Sequence, residues 1–116
     1  MDKLTADIGI LGAPSDEGSP MYPGQRYAPR RIREMSLRYA GVGPSEHEGY
    51  FDVSDGQQYL TSGTGARIVD CGDVDILYSR PDLTLDNITA AVTKLIRRGV
   101  LPVVFGGDHG VSYGVV

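Results

Sequence analysis

Leu85, Ile88, Val92 and Leu95 recur three and four residues apart, and the unbroken apolar run Leu101–Phe105 follows shortly after them. The first pattern is one stripe of an amphipathic helix; the second is a strand buried on both faces. A helix that runs straight into a buried strand is the repeating unit of a parallel α/β sheet. The rest of the chain fits the same plan. Asp7–Gly12 reads as a first buried strand, closed by Ala13-Pro14. Ser15–Gly24 is rich in Gly, Pro and Ser and reads as a loop. Pro29 suits the first turn of a helix, where its missing N–H has no partner to lose. Ile32, Met35 and Tyr39 carry that helix over residues 29–40, and Gly41 and Gly43 stop it. Arg67–Gly72 reads as a second strand. Pro81–Arg98 is a second helix, with Arg97 and Arg98 in its last turn and Gly99 as its C-cap. After His109 the chain begins another helix. Residues 41–65 allow two readings. One is a hairpin of Tyr50–Val53 and Gln57–Leu60 around Asp55-Gly56; the other is a long irregular loop.

The order β-α-β-α-β predicts a parallel sheet covered on both faces. Three strands leave apolar edges bare, and Ser112–Val116 carries no helix stop. The expectation is that residues 1–116 form the N-terminal portion of a single, larger α/β domain. Net charge is −4, so no basic field points to a nucleic-acid partner. No apolar run is long enough to span a bilayer, so no membrane role is expected. Cys71 is the single cysteine, which excludes an internal disulfide and fits a reducing compartment. Met1–Thr5 has no apolar leader character, and a cytoplasmic protein is expected.

The candidate chemistry lies in Gly106-Gly107-Asp108-His109-Gly110, on the turn that leaves the last strand. Ligands of open α/β sheets bind at the carboxyl ends of strands. His109 offers an imidazole as metal ligand or general base. Asp108 is suited to cap the next helix or to orient an imidazole. The same turn also reads as a backbone cradle for phosphate, or as a plain histidine at a turn. Asp70, Asp73 and Asp75 read either as oxygen ligands for a hard metal or as a polar strand end. Arg26, Arg30, Arg31, Arg33 and Arg38 read as an anion site, a subunit contact, or a solvated face with ion pairs such as Arg30 to Glu34. His47 sits in a polar loop, and Cys71 reads as a small buried hydrophobe.

Four stretches, in order, resemble the ureohydrolase family of arginases, agmatinases and related guanidino-acid hydrolases. Gly12-Ala13-Pro14-Ser15-Asp16-Glu17-Gly18 looks like that family's loop after its first strand. Pro23-Gly24-Gln25-Arg26-Tyr27-Ala28-Pro29-Arg30-Arg31-Ile32-Arg33 is similar to its approach to the first helix. Asp70-Cys71-Gly72-Asp73-Val74 is similar to its second-strand signature, and Gly106-Gly107-Asp108-His109 to its first metal-binding motif. The pattern is closest to agmatinase-like members. The resemblance implies a doubly wound parallel sheet, an arginase-like three-layer α/β/α fold of which this chain carries an incomplete part. It implies hydrolysis of a guanidino compound by a hydroxide bridging two manganese ions, agmatine giving putrescine and urea; nickel suits the same ligands. It implies that His109 is a ligand to one metal, that Asp108 at most supports it, and that Asp73 and Asp75 are not ligands. Assembly into trimers or hexamers is implied by the same analogy. Gly110 stands where Ser is usual, and Ala28 where Gly is common. The family's later aspartate-rich ligand motifs do not occur in these residues, so the chain alone is expected to be inactive. The readings that compete are a non-catalytic binding or oligomerisation module, a hydrolase for guanidino acids, guanidine or arginine, and a nucleotide-binding α/β domain.

Overall fold

The computed structural model describes residues 5–38, 49–60 and 65–116. Among the described residues eight regular elements follow one another: β1 (Ile8–Ala13), α1 (Ala28–Ser36), β2 (Gly49–Asp52), β3 (Gln57–Leu60), β4 (Ile68–Asp73), α2 (Pro81–Ile96), β5 (Leu101–Gly106) and α3 (Val111–Val115). A short 3₁₀ turn, Gln25–Tyr27, leads into α1. Three strands form a parallel sheet in the order β4-β1-β5. The remaining pair, β2 and β3, is an antiparallel hairpin around Asp55-Gly56, so of the two readings of residues 41–65 the hairpin holds where the chain is described. Its first strand begins at Gly49, one residue earlier than the sequence implies.

The sheet is parallel because each strand is returned to its start by a helix, as the alternation predicts. Successive side chains of β1 point to opposite faces. Leu11 and Ala13 join Ile88, Val92 and Leu95 of α2, with Val100 and Val111, in one buried cluster. On that face Gly9 leaves room for Leu95. On the other face Gly12 lies against Pro29 of α1. The helices therefore lie on opposite faces, with β1 in the middle.

The two faces are held differently. The α2 stripe buries Ile88, Val92 and Leu95 as its spacing predicts. Gly99, with φ of 70°, ends that helix as expected, although the helix itself stops at Ile96 rather than Arg98. In α1 the spacing is also helical, but Ile32 and Met35 are exposed and Pro29 is the buried residue. Tyr39, the third member of that row, lies outside the described residues. The sheet on the α1 side is only partly covered, with Ile68 and Leu101 each 60% exposed. Coverage of both faces is thus unequal among the described residues. Within them, no helix is long and apolar enough to cross a membrane.

Ile88 is fully buried at the centre of the α2 face and packs where a side chain at Gly114 would stand. Truncating it removes contacts that a close-packed interior cannot restore. Ile88→Ala is expected to destabilise the fold by about 2–5 kcal/mol, and Ile88→Val by about 0.5–1.5 kcal/mol. The urea midpoint at unchanged slope measures both. An Ile88→Ala loss below about 1 kcal/mol would contradict this core.

Candidate functional site

From β1 the chain passes first to β4 on one side and then to β5 on the other. That reversal brings the loops after β1 and β5 side by side at the carboxyl ends of their strands, where open α/β sheets form their binding crevices. The two loops touch directly. The Asp108 N–H donates to the Ser15 carbonyl at 2.8 Å. Gly107 is required there, because a Cβ would collide with the Ser15 backbone. The Asp108 carboxylate then accepts from Gly18 N–H at 2.7 Å and from Gly110 N–H at 2.7 Å. His109 follows, exposed, with its carbonyl accepting from Ser112 N–H at 3.1 Å as α3 begins. A cleft of about 510 Å³ opens beside it, lined by Val104, Asp108, His109, Val111 and Ser112.

The loop after β1 is built on Asp16, whose side chain is wholly buried. It accepts from the backbone of Gly24 at 2.7 Å and from Arg26 Nε at 2.8 Å. Arg26 also lies over the Tyr78 ring, 4.7 Å from its centre, which ties this loop to the one after β4. The Arg26 guanidinium, with help from the Gly24 and Arg26 amides, pulls the Asp16 carboxyl down from its ordinary 3.8 to about 2. A carboxylate buried in this way is stable only because each oxygen has a donor.

The end of β4 is held by a second ion cluster. Arg33 of α1 grips Asp70 with Nε at 2.6 Å and Nη2 at 2.9 Å, and its Nη1 reaches Asp73 at 2.5 Å. A planar fork suits two carboxylates in this way, where an ammonium would not. The hydrogen bonds that Arg33 donates to Asp70 and then to Asp73 raise its own pKa and lower that of Asp70. With its apolar residues exposed, α1 is fastened to the sheet by this fork and by Pro29.

These contacts bear on several open readings. Asp70 and Asp73 are both partners of Arg33, the arrangement that a polar strand end requires. Asp75 is exposed on the rim of a groove of about 580 Å³ between β4 and α2. The turn at Gly110 is not an open phosphate cradle, because the Asp108 carboxylate already occupies its N–H and would repel an anion. Arg30 and Arg31 both pair with Glu34 on an exposed helix face, as a solvated face requires. Arg26 and Arg33 are different, since each fastens a loop or strand. Spacing rules do not reveal them: their partners lie 10 and, for Asp70, 37 residues away. The only sequence hint was opposite charge in a loop with little apolar material. Cys71 is half-buried against the core cluster, as a small hydrophobe would be. His47 lies outside the described residues.

The pattern of residues, and the fold that carries it, have counterparts. The model of the arginase family matches residues 6–116. The chain belongs to the arginase family. It is 32% identical over 111 residues to a mitochondrial guanidino acid hydrolase of Homo sapiens, covering 95% of this chain and 28% of that one. It is 31% identical over 113 residues to an agmatinase of Bacillus subtilis, covering 96% of this chain and 34% of that one. An agmatine ureohydrolase of Thermoplasma volcanium has a similar structure, with a TM-score of 0.60 at 28% identity over 95% of this chain and 33% of the other. This arginase-family chain thus spans about a third of the length of the relatives it matches.

A two-metal centre, the group the resemblance implies, needs several donors brought together. Among the described residues no three His, Cys, Asp or Glu side chains come together to hold a metal ion. His109 is a donor of the right kind in the right crevice, and it is a single one. Asp108 beside it is engaged at both oxygens.

The Asp16 pair has a definite pH signature. Its folded-state value lies below its unfolded one, so the pair stabilises the fold above the ordinary carboxylate range and loses that effect as pH falls through about 2. Following the Asp16 carboxyl carbon by NMR should give a midpoint near 2 in the native chain. Arg26→Met should move the midpoint upward. A native midpoint at the ordinary 3.8 would show that the buried pair does not form.

Proposed function

We propose that the protein is a hydrolase of guanidino compounds, with His109 furnishing one ligand of a metal centre whose other donors lie outside the described residues. The observation that carries the reading is the position of an exposed imidazole at the strand-order reversal of an arginase-family sheet. Divalent metal at such a site supplies water that is nucleophilic at neutral pH and charge to steady the attacked carbon. The contribution of this chain is positional. Gly107 lets the turn approach Ser15, and Asp108 joins the turn to Gly18, so His109 is presented from a fixed backbone. Manganese is proposed, with nickel as the alternative, because both accept imidazole and carboxylate ligands.

Agmatine, cleaved to putrescine and urea, is the proposed substrate, on the likeness to the Bacillus subtilis agmatinase. The comparable likeness to a guanidino acid hydrolase favours guanidino acids as the second reading. A homo-oligomer, trimer or hexamer, is proposed with this function, with a small guanidino substrate and neither nucleic acid nor membrane as partner. A cytoplasmic, reducing setting is proposed on the lone free thiol of Cys71.

Two preparations test the proposal. The 116-residue chain, given Mn²⁺ and agmatine, is expected to release no urea, since His109 by itself does not hold two metals. A chimera in which this chain replaces the matching third of the Bacillus subtilis agmatinase is expected to release urea from agmatine. In that chimera His109→Ala should lower the rate by about 100-fold or more, beyond the effect of losing a metal ligand's supporting partner. A chimera indifferent to His109→Ala, or Mn²⁺-dependent urea release by the chain alone, would refute the reading.

A further inference from the structure

The Asp108 carboxylate packs closely against two glycines, Gly18 and Gly110. A Cβ at Gly18 would lie 3.0 Å from its Oδ2, and a Cβ at Gly110 would lie 2.9 Å from its Oδ1. Each of those oxygens instead accepts the N–H of the same glycine at 2.7 Å. Gly18 is 90 residues away in the chain and belongs to the loop after β1; Gly110 belongs to the turn that carries His109. Gly110 has φ of −59°, an ordinary helical value that any residue adopts. Its lack of a side chain is therefore not needed by the backbone. What it provides is room for the carboxylate.

We propose that Asp108 is a positioning residue whose carboxylate, seated between Gly18 and Gly110, locks the His109 turn to the loop after β1. The backbone bond from Asp108 to Ser15 fixes where the two loops meet. The side chain adds a second point of attachment on the far side of the turn. Two attachments stop the turn from pivoting, where one would not. The loop it grips is itself braced, because Asp16, next to Ser15, collects the Gly24 and Arg26 donors. His109 is thus held from a backbone fastened to that loop at two points rather than hung from a strand end. Its consequence for metal binding rests on the reading of His109 as a ligand; the clamp itself does not.

Amide exchange in the full chain reads the clamp directly. Asp108→Ala removes both acceptors, and Gly110→Ala keeps the carboxylate but forces it to turn. Both are expected to speed exchange of the Gly18 amide by about tenfold, the size of one lost charge-assisted hydrogen bond. Gly110→Ala suits the helical backbone, so a merely structural role for this glycine predicts equal or greater stability with unchanged Gly18 exchange. Ile88→Val serves as the control, since it lowers global stability while leaving the hydrogen bonds of Asp108 in place and should shift protected amides together. In the chimera, Asp108→Ala is expected to weaken Mn²⁺ binding about 10- to 100-fold. Unchanged Gly18 exchange in both variants overturns the clamp. A chimera whose Mn²⁺ affinity is unmoved by His109→Ala overturns the metal reading alone, and the clamp is then judged on exchange.

Discussion

Everything at the candidate site depends on how closely the loop after β1 approaches the turn after β5. At Gly107 the backbones meet with no space for a side chain, and the Asp108 N–H closes a bond to Ser15. That approach is possible because β1 lies in the middle of the sheet, hydrogen-bonded to β5 along its whole length from Ile8–Leu101 to Ala13–Gly106. In-register pairing delivers the two strand ends to the same height. The loops that leave them have to touch, and the residue types in them decide what the contact does.

The two sides of the sheet show different ways to attach a helix. On one side α2 uses an apolar stripe, where the energy is non-directional and follows buried area. On the other, α1 uses Pro29 and a fork of charge-assisted bonds from Arg33 to the end of β4. Such bonds are directional, so they fix the register of α1 against the strand rather than merely its proximity. The exposed fraction of this cluster means that solvent screens it, and its value is geometric more than energetic. The same division holds in the loops, where Asp16 and Asp108 replace the apolar contacts that a Gly- and Pro-rich segment does not supply.

What was legible in the sequence follows from this division. Periodicity reports burial, so the α2 stripe was readable from spacing, and the alternation of strands and helices gave the parallel sheet; the burial expected of β5 on both faces does not hold, because α1 covers its side of the sheet only in part. The same rule gave α1 its helix but not its surroundings, since Ile32 and Met35 repeat correctly and remain exposed. Long-range polar contacts have no period. Asp16, Arg33 and the true partners of Asp70 and Asp73 were invisible until the fold brought them together. His109 was legible as a candidate because a histidine on a glycine turn at a strand end is chemically conspicuous. The motif order gave it a role by likeness, and the arginase-family match supports the likeness without itself testing that residue.

We propose that the imidazole of His109 binds a metal while its turn stays fastened to the loop after β1. Crystals of the agmatinase chimera grown with Mn²⁺, with diffraction recorded on either side of the manganese edge, test it most directly. The account predicts an anomalous peak about 2 Å from a ring nitrogen of His109, with Asp108 still bonded to Gly18. Manganese bound elsewhere, with the His109 ring making no contact to it, would contradict the account.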